Sequence, residues 1–127
     1  MGKGVKAMKT FKEPLTNNKF YIIADTLENI KTQLLNKFGI IYKAEKVYGE
    51  FIDIDIDGKI KLIFIFNTEK GEQELTIAHE TLHATIYILK FMTPEIILDN
   101  EVCEETLCYM QGWFIKKLNK LIKSSYK

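Results

Sequence analysis

The five residues His79-Glu80-Thr81-Leu82-His83 are those whose types and spacing could do chemistry. Residues four apart share one face of a helix, so both imidazoles can reach a single divalent ion while Glu80 projects from the adjacent stripe. Zinc held in this way lowers the pKa of a bound water to roughly 7, and a carboxylate within hydrogen-bonding reach can take its proton at neutral pH. Glu80 is the expected base. The chain has two histidines, and both fall in this motif. The competing explanation is an amphipathic helix that carries two surface or half-buried histidines with no shared ligand.

Two imidazoles do not complete a zinc site, because a catalytic zinc typically has three protein ligands and a water. A metzincin would place Gly three and His six residues after His83, but those positions hold Ile86 and Leu89. A carboxylate is therefore expected as third ligand. Glu101, Glu104 and Glu105 all fall in the first turns of the last helix, where an acid also faces the positive helix end. Each has a purely dipolar role as its alternative. Tyr109, one turn after Glu105, is a candidate donor to a tetrahedral intermediate, or else a packing residue. Trp113 and Phe114 read as core. Cys103 and Cys108, five apart on a helix, do not face each other for a disulfide. A soft ligand in a closed metal site is one role for either, and two buried small apolar residues is the simpler one.

These residues need elements to position them. Residues 1–10 look frayed, and Phe20-Tyr21-Ile22-Ile23 reads as a strand. Thr26 is the expected N-cap of a helix to about Phe38, with Leu27, Ile30, Leu34 and Phe38 as its apolar stripe and Gly39 as its stop. From about 44 to 67 the pattern alternates with period two and predicts a hairpin. Its turn is expected as a three-residue loop of Ile56, Asp57 and Gly58, which pairs Asp55 with Lys59, Ile54 with Ile60, Asp53 with Lys61 and Ile52 with Leu62. The run Asp53-x-Asp55-x-Asp57-Gly58 opens like a calcium-binding loop, but the closing Glu is replaced by Phe64 and both flanks are strand-like. The aspartates are read as the solvated face of the hairpin.

The motif helix is expected from about Glu72 to Phe91. Leu75, Ala78, Leu82, Ile86 and Leu89 form one stripe and Ile77, Ala84 and Ile88 another, so it should be covered on two sides. Thr93-Pro94 ends it. A last helix follows from Asn100 to Lys123, capped by Asp99, with Cys103, Leu107, Met110, Phe114, Leu118 and Leu121 facing the core.

Composition sets the frame. A chain of 127 residues with 46% hydrophobic and 28% charged residues reads as one ordinary globular domain spanning 1–127. The formal net charge of +1 gives no strong steering toward nucleic acid or membrane. All eighteen basic residues are Lys, so the bidentate base-reading Arg is missing. No segment is apolar for long enough to span a bilayer, and the start lacks the apolar run of a signal peptide, so a cytoplasmic location is expected. The Lys and Ile bias suggests a low-GC bacterium or its phage.

His79-Glu80-Thr81-Leu82-His83-Ala84, after a hairpin and some twenty residues before Glu105-Thr106-Leu107-Cys108-Tyr109-Met110-Gln111-Gly112-Trp113-Phe114, resembles the compact zincins that take a helix-borne Glu as third ligand. It looks most like small phage-encoded metallopeptidase-like proteins, and more distantly like the ImmA/IrrE group of mobile-element peptidases. The resemblance implies zinc on His79, His83 and Glu105, with Glu101 as second choice for the third position. It also implies a peptide or protein substrate. Where the fuller ImmA/IrrE pattern has Ala-Asn after that Glu, this chain has Thr106-Leu107. The expected architecture is α+β: a small antiparallel sheet packed with an N-terminal helix, the motif helix and a C-terminal helix. Peptide hydrolysis is the expected activity; a catalytically silent zinc-binding structural protein of a phage or mobile element, or an interaction module, is the alternative.

Overall fold

Alternation, caps and turn residues assemble into a four-stranded sheet with helices on both faces. The structure is a computed structural model describing residues 8–70, 74–92 and 100–123, with the backbone alone for 91–92, 100–104 and 123. The strands are β1 (Lys9–Lys12), β2 (Lys19–Asp25), β3 (Gly49–Ile56) and β4 (Lys59–Asn67), in the spatial order β1-β2-β4-β3. The helices are α1 (Leu27–Phe38), α2 (Glu74–Tyr87), which continues as a π turn over Ile88–Met92, and α3 (Asn100–Lys123).

The α+β class is as expected, but the sheet is mixed rather than antiparallel. β2 and β4 run parallel, from Phe20 beside Leu62 to Asp25 beside Asn67. Parallel neighbours need a crossover, and α1 with the segment leading into β3 supplies it. Central strands covered on both faces read as continuous apolar runs. Accordingly Phe20 to Ala24 and Leu62 to Phe66 are all buried.

Two cores result. Phe20, Phe64, Phe66, Phe114 and Ile77 fill the layer between the sheet and α2 with α3, while Tyr21, Ile23, Ile63 and Ile65 pack on Ile30 and Leu34 of α1. Helix α1 matches its predicted ends. Thr26 accepts from the Asn29 amide, and Gly39, at φ 71°, takes the left-handed conformation that stops the helix.

Three local expectations are corrected. The hairpin closes with a two-residue turn, Asp57 at φ 53° and Gly58 at φ 82°, pairing Ile56 with Lys59, Asp55 with Ile60, Ile54 with Lys61, Asp53 with Leu62 and Ile52 with Ile63. The alternation argument for a three-residue loop assumed one buried face. With β4 buried on both, either parity is apolar at its centre, and the Asp-Gly preference for positive φ at both turn positions decides the register. Lys9 and Thr10 are not frayed but paired with Ile22 and Tyr21, and the Lys9 ammonium donates to the Leu121 carbonyl of α3 at 2.7 Å. The second side of α2 is covered only in part. Ile77, Ala84 and Ile88 are buried, as is Leu89 of the other stripe, whereas Leu75, Leu82 and Ile86 of that stripe are 87%, 37% and 44% exposed.

The aspartates at 53, 55 and 57 are exposed, as a solvated hairpin face should be, and Asp55 accepts from the Gly58 amide at 2.9 Å. Helix α3 has the expected ends; its predicted cap, Asp99, lies outside the described residues. Met110, Phe114 and Leu118 form its buried stripe, joined by Ile122. Among the described residues no helix is long and apolar enough to cross a membrane.

Candidate functional site

Helical spacing alone brings the two histidines together. Their Nε2 atoms are 3.2 Å apart, with ring centroids at 4.8 Å and planes at 75°. Two nitrogens bound tetrahedrally at about 2.05 Å from one zinc would be about 3.3 Å apart, so the spacing suits two ligands of a single ion as well as an N–H···N hydrogen bond between the rings. The His79 side chain is 69% exposed, open to an incoming ion and to solvent.

Glu80, between them in sequence, reaches inward to β3. Its side chain is 10% exposed, and Oε1 accepts from the Phe51 amide of β3 at 2.8 Å. β3 is an edge strand, so this carboxylate satisfies an outward amide that no neighbouring strand can pair. The other oxygen, Oε2, lies 3.8 Å from His79 Nε2. Glu80 is thus held by one oxygen and turned toward the histidines with the other.

Gly49 makes this reach possible. A Cβ there would sit 2.6 Å from Thr76 Cγ2 and 2.8 Å from the Ile65 carbonyl oxygen. Glu80 follows Thr76 by one helical turn, and Phe51 follows Gly49 by two residues. The close approach of α2 to the start of β3 therefore sets the length that the Glu80 side chain must span.

Between β3 and α2 opens a cleft of about 490 Å³, with Glu50, Phe51 and Asp53 on the strand side and Glu80, His83, Ile86, Tyr87 and Lys90 on the helix side. The Tyr42 hydroxyl donates to Glu50. Burial first, then that hydrogen bond and the charges of Glu50 and Glu80, hold the Tyr42 pKa well above its ordinary value. Burial, and then the charge of Asp53, also raise the Tyr87 pKa. Both phenols stay protonated donors at neutral pH.

Glu105 is exposed, and among the described residues it does not form with His79 and His83 a group of donors able to share one ion. The side chains of Glu101, Glu104 and Cys103 lie outside the described residues. Gln111 Nε2 donates to the Ala78 carbonyl at 3.2 Å, which marks the side of α3 that meets the motif. At 100° per residue, Glu105 lies about 120° from that stripe.

Tyr109 projects roughly 160° from Gln111 on the same helical count. It is 70% exposed and lines a separate groove with Pro14, Leu15 and Trp113. Trp113, expected in the core, is half-buried there and packs on Phe11 at 5.7 Å. Cys108, expected to be buried, is exposed and free, because it falls outside the stripe of Met110 and Phe114.

Tyr87, Asp53, Gly49 and the Phe51 amide were missed by the sequence reading. Tyr87 had a signal, since it follows His83 by one turn on the same face. A glycine opening an alternating strand signals close backbone approach. Nothing local marks the Phe51 amide. Compared with known protein families, curated proteins and solved structures, the chain matches none.

Proposed function

We propose that this protein is a zinc-dependent peptidase whose site is the cleft between β3 and α2. The observation that carries the reading is the 3.2 Å spacing of the histidine Nε2 atoms, which suits two ligands of one tetrahedral ion. His79 and His83 would hold the zinc with a carboxylate of α3. The resemblance favours Glu105, with Glu101 as second choice and Glu104 as a further candidate. Bound zinc would supply Lewis-acid polarisation of the scissile carbonyl.

The chain's own groups do the rest. Glu80, fixed through Oε1, takes a proton from the attacking water at Oε2 and delivers it to the departing amine. The outward backbone groups of β3 near Asp53 align an extended peptide by strand addition. Tyr87, in the cleft and protonated, takes the donor role first considered for Tyr109. The Lys- and Ile-rich composition supports a low-GC bacterium or its phage as the source, and the cytoplasm of that host is the setting we propose.

The exposed Leu75, Leu82 and Ile86 beside the histidines favour one second reading, a zinc-binding interaction protein that docks a partner on this face and cuts nothing. Metal analysis of protein purified without a nickel column tests both, run beside cleavage of a peptide library. One zinc per chain, lost in His79→Ala and weakened in one alone of Glu105→Ala, Glu104→Ala and Glu101→Ala, is the expected result. Zinc without cleavage would select the second reading, and no zinc after reconstitution would overturn both.

A further inference from the structure

The sheet face opposite the histidine cleft carries an arrangement of charge that folding alone disfavours. Lys12 of β1 pairs in register with Lys19 of β2. Lys61 of β4 flanks Lys19 on its other side, one residue before the Phe20 and Leu62 neighbours. Side chains alternate along strands, so all three share the face of Tyr21 and Ile63 and form a row with about 5 Å between strands.

Lys37 joins them from the last turn of α1, where Phe38 packs edge-on against Tyr21 at 5.0 Å. The Lys19 and Lys61 ammonium groups lie 5.0 and 6.0 Å from the centre of that same Tyr21 ring. Like charges directly opposite on neighbouring strands destabilise a sheet. Among the described residues no carboxylate pairs with Lys12, Lys19, Lys37 or Lys61.

Several acids are committed elsewhere. Asp53 and Asp55 belong to the other face of β3. Glu13 accepts from the turn amides of Leu15 and Thr16, and Asp25 accepts from the Thr26 amide and from Asn29. Cation–π contact with the Tyr21 ring offsets part of the repulsion at Lys19 and Lys61, but among the described residues no carboxylate does so, and a local rule of stability left broken in this way is characteristic of a functional surface. The missing negative charge would then come from a ligand.

Beside the row, a concavity of about 520 Å³ lies between α1 and the β1–β2 pair, its walls including Thr10, Lys19, Tyr21, Asn36 and Lys37. That is within the size range of small-molecule sites. We propose that this groove binds a nucleoside triphosphate, with the phosphates on the lysine row and the nucleoside against the hydroxyl and amide groups of Thr10 and Asn36. The row spans only about 10 Å across three strands, a length suited to one triphosphate and not to a through-running nucleic-acid backbone. The walls beyond the lysines are uncharged, with Met8 and Tyr21 beside Thr10, Thr32, Gln33 and Asn36, a mixture of apolar and polar groups that suits a nucleoside better than further phosphate. This site is independent of the metal reading and lies on the other face of the sheet.

Calorimetric titration of the metal-free chain with ATP and UTP, inorganic triphosphate and a short oligodeoxythymidylate tests the proposal. One nucleotide should bind per chain, and Lys19→Gln and Lys61→Gln should each weaken it about fivefold, while Lys120→Gln on α3 leaves it unchanged. Lys12→Gln should weaken binding and also raise the melting temperature of the unliganded chain, because it relieves the cross-strand repulsion. Failure of both nucleotides to bind, or a Lys12→Gln chain that melts lower, would overturn the proposal. Inorganic triphosphate binding as tightly as the nucleotides, or the oligonucleotide binding more tightly, would overturn it equally.

Discussion

Under the proposed function Glu80 has two roles, a strut between α2 and β3 and a base at the site, and substitution separates them. Its Oε1 holds the Phe51 amide at 2.8 Å while the side chain is 10% exposed. In Glu80→Ala that amide loses a charged acceptor on an edge where no strand replaces it, and a lost hydrogen bond to a charged group costs about 1.5–3 kcal/mol. Unfolding entropy near 2.1 cal/mol/K per residue implies about 4 °C per kcal/mol for a chain of this length, so the melting temperature should fall by about 6–12 °C. Glu80→Gln keeps a neutral acceptor oxygen and should lose about 1 kcal/mol or less, some 4 °C at most. Yet glutamine cannot accept the proton, and peptide cleavage by the zinc-loaded protein should fall by about 10²–10⁴-fold. Thermal denaturation followed by circular dichroism, with cleavage of a fluorogenic peptide library, reads both. A Gln variant with full activity would refute the base, and an Ala variant that melts like the parent would refute the strut.

Adding a methyl group at Gly49 must push α2 away from β3, since it would meet Thr76 Cγ2 and the Ile65 carbonyl oxygen. Gly49→Ala should destabilise the fold by about 1–3 kcal/mol in urea unfolding, and adding Thr76→Ala should restore part of that loss. A neutral Gly49→Ala would mean that the helix and strand are not packed to contact. Tyr42 gives a pH dependence. Its folded pKa lies above the ordinary value of 10.0, so its share of stability is complete below that value and is lost as pH rises, because the unfolded chain releases the phenolic proton first. Tyr42→Phe should therefore flatten the alkaline limb of the stability profile; an unchanged limb would remove the coupling to Glu50 and Glu80.

The structure divides what local sequence determines from what chain folding decides. Helical geometry repeats every few residues, so His79 and His83 were bound to converge wherever their helix lay, and their Nε2 atoms do. For the same reason Thr26 and Gly39 marked the ends of α1, and the periodicity from Asn100 to Lys123 marked α3. Caps, stops and i, i+4 neighbours are all made within one or two turns.

Tertiary structure decided the rest. β4 became a central strand beside β2, which removed the alternation on which the hairpin register had been argued. α2 settled along the β3 edge, leaving Leu75, Leu82 and Ile86 exposed and bringing Glu80 to the Phe51 amide twenty-nine residues away in sequence. The rotation of α3 turned Gln111 toward the motif and Tyr109 into another groove. The spacing of residues within a helix is a local property of the backbone. Which strand a helix lies beside, and which of its faces meets that strand, depends on burial summed over the whole chain.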